Sequence, residues 1–179
     1  MKSTLLNMIL SLTTLTLLVG AALGVVNYFT TEPIAKANEA ARHEAIAAIL
    51  PPFDHLEAQT SGELTVYPAF DGPDLAGLAV ETYSDAGFGG RIVLMAGFDA
   101  DGRLTGYRVL SHAETPGLGA KMDTWFQTDK VIGTDTDIAV RADGGDIDAI
   151  TGATITSRAF TDAINRARHA FNDYNHGSK

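Results

Sequence analysis

The sequence predicts an α+β fold, an antiparallel sheet with flanking helices, preceded by one transmembrane helix. Three observations predict it. An uncharged apolar run opens the chain, short β-rich runs separated by glycine turns fill its middle, and small and apolar residues at helical spacing close it.

Residues 5–29 are Leu, Val, Ile, Ala, Met and aromatic residues, interrupted only by Thr, Ser, Asn and Gly, with no charge. A bilayer core is spanned by roughly 20 such residues, so the run is long enough to cross. Gly20-Ala21-Ala22 offers the small residues of a signal-peptide cleavage site. A signal core is only about 7–15 residues, however, and the length here favours a retained anchor over residues 1–30. Lys2 precedes the run, while Glu32 stands beside Lys36 after it. The positive-inside rule then puts the N-terminus in the cytoplasm, for a single-pass protein of the cytoplasmic (inner) membrane with its C-terminal domain on the outer, periplasmic side.

Residues 31–52 read as a linker helix. Thr30 or Thr31 can cap it, Pro33 suits its first turn, and Ile34, Ala37, Ala41, Ile46 and Leu50 recur along it until Pro51-Pro52 stops it. Residues 53–179 are expected to form one domain. Its strands are expected at 64–67, 78–83, 91–98 and 104–110, divided by Asp71-Gly72-Pro73, Gly87-Phe88-Gly89-Gly90 and Asp101-Gly102. Asp-Gly between two apolar runs is a strong hairpin signal, so the sheet is antiparallel. The last helix starts near Thr156, carries Ala159, Ala163, Ile164, Ala167 and Phe171 on one side, and ends in a polar tail over residues 172–179.

With 179 residues and a net charge of −9, the chain holds one substantial domain and an anchor. Its few Lys and Arg are scattered, which excludes a nucleic-acid surface. The absence of cysteine excludes disulfides, iron–sulfur clusters and thiolate metal sites. Redox work would need a bound organic cofactor or a metal held by His and carboxylates. His112 lacks obvious metal-ligating companions, and no metal is expected.

Two segments can carry chemistry. Asp148-Ala149-Ile150-Thr151-Gly152-Ala153-Thr154-Ile155-Thr156-Ser157 leads small residues into a helix start, where unpaired N–H groups and the helix dipole favour an anion. On composition alone, ordinary capping by Thr154 or Thr156 is the simpler reading. In His112-Ala113-Glu114-Thr115-Pro116-Gly117-Leu118-Gly119-Ala120-Lys121, Glu114-Thr115 could cap a helix beginning near Leu118, and the prolyl-glycyl stretch could be only a turn. Trp125 and Phe126 suit core packing better than a pocket wall.

Asp148-x-x-Thr151-Gly152-Ala153-Thr154 resembles the flavinylation signature of the FMN-binding domain family. Gly87-Phe88-Gly89-Gly90-Arg91-Ile92-Val93, followed by the 112–121 segment, resembles the G subunit of Rnf-type ion-translocating complexes and the C subunit of sodium-pumping NADH:quinone reductases. The resemblance implies covalent FMN, attached by a flavin transferase through a phosphoester to Thr154, with Asp148 as a recognition residue. Gly152 and Ala153 are then the small residues the transferase approaches, and Ala149 departs from the Gly often found there. The implied cofactor-binding set is completed by Glu114, Thr115, Gly117, Leu118, Gly119, Lys121, Thr151, Thr156 and Ser157. Within it, Gly117 and Gly119 admit backbone N–H groups to the flavin, Leu118 packs on its face, and Lys121 faces its N1/O2 edge.

The resemblance further implies an electron-transfer subunit of a ferredoxin:NAD oxidoreductase that moves Na⁺ or H⁺, with the other subunits of that complex as partners. It implies no catalytic residue and no turnover by the subunit alone. The short interval between Pro52 and Gly87 favours the Rnf type over the sodium-pumping type. A membrane-tethered FMN module without redox turnover is the rival from another class.

Overall fold

The computed structural model describes residues 2–177, so the last two residues of the polar tail lie outside the described residues. The chain divides into two compact units, Met1–Ala41 and Arg42–Lys179. Each is taken by itself.

Helix α1 (Lys2–Ile49) supplies every described residue of the first unit. Every described side chain from residue 4 to residue 41 is exposed, including Leu17, Val26 and Phe29, and the most apolar window of the helix has a mean hydropathy of 2.2. A long apolar helix that no protein surface covers is suited to lipid. Thr30 and Thr31 do not start a new helix. Their hydroxyls donate to the carbonyls of Val26 (2.9 Å) and Asn27 (2.6 Å), one turn back, and the helix continues through Pro33. The local cost is one lost backbone donor, which a long helix tolerates.

The second unit is built on a six-stranded antiparallel sheet of β1 (His55–Leu56), β2 (Gln59–Ser61), β3 (Leu64–Asp71), β4 (Asp74–Gly87), β5 (Gly90–Asp99) and β6 (Leu104–Ser111). The order is β1-β3-β4-β5-β6, with β2 also paired to β3. All three anticipated turns close hairpins. Asp71 faces Asp74, Gly87 faces Gly90, and the Asp99 carboxylate accepts the N–H groups of Asp101 (3.0 Å) and Arg103 (2.8 Å) across the last turn.

Strand alternation gives the sheet two buried faces. Ala69, Ala79 and Met95 meet Ala45, Ile46 and Ile49 from the last turns of α1 and Leu50 just after it, and Arg42 forks onto Glu81 at 2.7 and 3.1 Å. Leu78, Val80, Leu94 and Phe98 face α3 (Thr154–Gly177), which contributes Phe160, Ile164, Ala167 and Phe171. The buried Thr82 hydroxyl donates to the Ala163 carbonyl (2.9 Å), and Tyr107 packs edge-on to Phe160 at 4.7 Å. Helix α3 begins at Thr154, close to the expected start near Thr156, because the Ser157 N–H already bonds the Ala153 carbonyl at 3.0 Å. The helix expected near Leu118 is short and begins as a 3-10 turn, with Leu118 at its N-cap. A 3-10 turn, Gly119–Lys121, leads into the short α2 (Met122–Trp125).

Candidate functional site

Three pieces of chain converge at the start of α3: its first turn, the loop after β6, and the tip of the β4–β5 hairpin. Between them lies a cavity of about 350 Å³ lined by residues from all three.

The loop Ile150 to Ala153 is closed by its own bonds. Ala153 N–H reaches the Ile150 carbonyl (2.9 Å), while the buried Ser157 hydroxyl accepts the Ile150 N–H (2.9 Å) and donates to the Ala153 carbonyl (2.9 Å). Since the first α3 bond runs from Ser157 to Ala153, helix geometry leaves the N–H groups of Thr154, Ile155 and Thr156 without intrahelical acceptors. Thr154 is exposed and in the cavity wall, whereas Thr156 is 1% exposed.

Opposite, the Thr115 carbonyl accepts the N–H groups of Leu118 (3.1 Å) and Ala120 (3.3 Å), which curls the loop and presents Leu118 to the cavity. Glu114 joins all three pieces. Its Oε1 accepts the Gly89 N–H at 3.0 Å, its Oε2 accepts the Thr156 hydroxyl at 2.6 Å, and its own N–H donates to His112 Nδ1 at 3.1 Å. Gly119 makes this approach feasible. A Cβ there would sit 2.5 Å from Glu114 Oε2 and 2.7 Å from Thr156 Oγ1, so no larger residue fits without displacing the carboxylate.

Outside the cavity, Arg158 forks onto Asp143 at 2.7 Å and holds that carboxyl below its usual range, chiefly through the hydrogen bond. Asp148 pairs with Arg141 (2.7 Å) and Lys130 (3.2 Å), and its carbonyl accepts the Trp125 indole N–H (2.9 Å). Trp125 thus pins the stretch ahead of Thr151 from outside. Phe126 is buried and stacks on Phe160 with centroids 4.2 Å apart.

The FMN-binding domain family matches residues 87–169, a span that takes in the hairpin tip, the Glu114 loop and most of α3. The G subunit of an ion-translocating oxidoreductase complex from Shewanella loihica is 35% identical over 178 residues, covering 87% of this chain and 84% of that protein. The chain belongs to the family of G subunits of ion-translocating oxidoreductase complexes. Another member, from Pseudomonas aeruginosa, is 34% identical over 86% of this chain and 83% of its own. One from Escherichia coli is 41% identical over 59% of this chain, and that match spans 55% of the relative.

For a member of this G-subunit family, the test is whether these residues suit FMN. The cavity falls within the roughly 300–1,000 Å³ of small-ligand clefts. Phe88, Leu118 and Ile155 offer apolar surface for a flat ring system, while the α3 N–H groups and the Thr154 hydroxyl stand where a phosphate needs donors. The residues fit the group.

Of the site residues anticipated from sequence, the structure brings Glu114, Thr115, Leu118, Gly119, Gly152, Ala153, Thr154 and Thr156 into the cavity wall. Gly117, Lys121, Thr151 and Ser157 are not among its lining, and neither is Asp148. Phe88 and Ile155 line it without having been anticipated. Their signal was available in the sequence: each is a large apolar residue inside a motif of small or polar ones.

Proposed function

We propose that this chain is the membrane-anchored electron-transfer subunit of an Rnf-type ion-translocating ferredoxin:NAD oxidoreductase, with FMN held as a phosphoester on Thr154. One observation carries the site assignment. Among the hydroxyl-bearing residues at the start of α3, Thr154 is exposed and in the cavity wall, while Thr156 and Ser157 are buried with their hydroxyls hydrogen-bonded. Thr151 is exposed but lies outside the lining.

Bound FMN supplies reversible electron-transfer chemistry that no side chain here can provide. The protein's share is to hold and orient. Thr154 Oγ1 is the ester oxygen, and the N–H groups of Ile155 and Thr156 with the helix dipole favour the phosphodiester charge by about 0.3–1 kcal/mol. Leu118 and Phe88 flank the ring, and Gly152 and Ala153 leave the approach to Thr154 open to a flavin transferase. Asp148 is that enzyme's recognition residue, already held in place by Arg141 and Lys130. Gly117 and Lys121 act on the site through the curl of their loop, and Thr151 and Ser157 through the turn that leads into α3.

Residues 1–30 anchor the protein, 31–52 form the linker and 53–179 the flavin domain, with the domain on the outer side of the membrane. The partners are the other subunits of the complex.

The test is co-expression with a flavin transferase. A phosphoester survives denaturation, so the wild-type band fluoresces under ultraviolet light in a denaturing gel. Thr154→Val abolishes the fluorescence and Thr156→Val keeps it. Fluorescence that tracks Thr156, or that survives in both variants, overturns the assignment.

A further inference from the structure

Glu114 is the cavity residue whose chemistry the FMN reading leaves unused. It is 5% exposed, and among the described residues it forms no ion pair with Lys, Arg or His. The charged groups on the surrounding elements are engaged elsewhere or stand outside the lining, Arg166 of α3 lying over the Tyr83 ring at 4.6 Å. On the hairpin, Arg91 holds Asp85 (2.6 Å). On α3, Arg158 holds Asp143 (2.7 Å) and Asp162 accepts the Ser84 hydroxyl (2.6 Å). On its own loop, His112 presents Nδ1 as an acceptor to the Glu114 N–H, and Lys121 is exposed and outside the lining. A buried carboxylate without a cation is unfavourable, and two neutral donors satisfy only part of its capacity.

The two donors differ in kind. The Gly89 N–H can serve only an acceptor, which keeps Oε1 free of a proton. The Thr156 hydroxyl can donate to an ionised Oε2 or accept from a protonated one, so the contact persists in either state. Oε2 can therefore gain and lose a proton without rebuilding the wall.

We propose that Glu114 is the proton-holding residue of the FMN cavity, binding one proton from solvent at Oε2 when a one-electron donor adds one electron to the flavin. One negative and one positive charge enter together, and the net charge of the cavity is unchanged. While ionised, the carboxylate opposes electron addition, because like charges a short distance apart repel. This inference rests on the FMN reading of the cavity.

The test uses the full-length, FMN-loaded protein in detergent, cycled with dithionite and ferricyanide and followed by infrared difference spectroscopy. In the wild type a protonated-carboxyl band appears on reduction, shifts when glutamate is ¹³C-labelled, and is absent in Glu114→Gln. In Glu114→Asp a band remains but ignores the glutamate label. Midpoint potentials give a second readout. Glu114→Gln raises the potential and weakens its dependence on pH, while Thr156→Val, which keeps the carboxylate, retains that dependence. A purely structural role would leave the pH dependence unmoved in both variants. A loaded, reversibly reduced wild type with no glutamate-sensitive carboxyl band overturns the proposal, whether or not the variants fold. So does a labelled band that persists in Glu114→Gln. A chain that takes up no FMN overturns the reading of the cavity itself.

Discussion

The two ends of α3 are built on opposite principles. At the far end, Arg168 is 3% exposed, donates to the carbonyls of Gly102 (3.0 Å) and Thr134 (3.1 Å), and lies over the ring of Phe98, on which Phe171 packs. Around Arg168 the helix is closed and its guanidinium serves other parts of the chain, whereas the last turn, residues 172–176, is mostly exposed. At the near end, the first turn leaves three N–H groups and the Thr154 hydroxyl facing a cavity. The difference teaches that a helix can present a loosely satisfied start to a ligand when its other end is locked into a core.

Removing what both ends share has the largest effect. Phe160 is fully buried, stacks on Phe126 and meets Tyr107 edge-on. Phe160→Ala is expected to cost about 3–5 kcal/mol, as large-to-small changes of a buried aromatic do. Denaturant titration of the full chain in detergent should show a midpoint lowered accordingly, with FMN uptake lost as well. A loss under about 1 kcal/mol would mean that α3 is not held mainly through Phe160.

The next change separates the ends. Arg168→Leu strips the Gly102 and Thr134 carbonyls of their charged donor, at about 1–3 kcal/mol for buried acceptors left unpaired. Part of this is recovered, because the Arg168 Nε has no hydrogen-bond partner, only a 4.0 Å ion pair with Asp137, and burial already disfavours the charge, pulling the guanidinium below its ordinary range. The stability of the full chain should fall while flavin fluorescence in the denaturing gel stays at the wild-type level. If fluorescence falls in proportion to stability, the two ends are not independent.

How much of this was legible in the sequence follows from the range of each interaction. The four main strands and their hairpins were readable because their signals are local. Asp101-Gly102 needs only Asp99 to close its turn. The edge pieces β1 and β2 were not, since two and three mostly polar residues carry no alternation of their own and exist by pairing to β3. Pro33 was read as a helix start, yet α1 runs through it, because the bonds before and after the proline outweigh the single one it removes. The cavity was half legible. Its small-residue motif is contiguous, but the inward turn of Glu114 depends on Thr156, a partner 42 positions away that local patterning does not register.

Gly119→Ala sharpens the near end. The added methyl meets Glu114 Oε2 and Thr156 Oγ1, and overpacking of this kind costs about 1–3 kcal/mol. The carboxylate is displaced first, so flavin loading should fall more than stability does. Thermal unfolding and gel fluorescence of the same sample check this. Equal losses in both would show that Glu114 is only a brace.

The smallest effect comes from the surface charge at the near end. Asp143 accepts both arms of Arg158, and that hydrogen bond lowers its pKa from the ordinary carboxylate value. A carboxyl whose folded pKa is depressed contributes stability above its unfolded pKa, near 3.9, and loses that contribution as pH falls through the folded value. Asp143→Asn should therefore differ slightly from wild type between about pH 5 and 8, with the gap closing as the solution is acidified below about pH 4. Both partners are exposed, so solvent screens the pair, and added salt should shrink the gap at neutral pH. Arg168, on the same helix, gives the contrast: its burial lowers the affinity for a proton, but its charge change lies far above neutrality and its ion pair with Asp137 is long, at 4.0 Å, so Arg168→Leu should show a loss that is nearly flat over the same range. Thermal midpoints of the two variants at pH 3, 5 and 8, at low and high salt, test the pair of expectations together. A pH-dependent loss in Arg168→Leu, or a pH-independent one in Asp143→Asn, would assign the surface character to the wrong end of the helix.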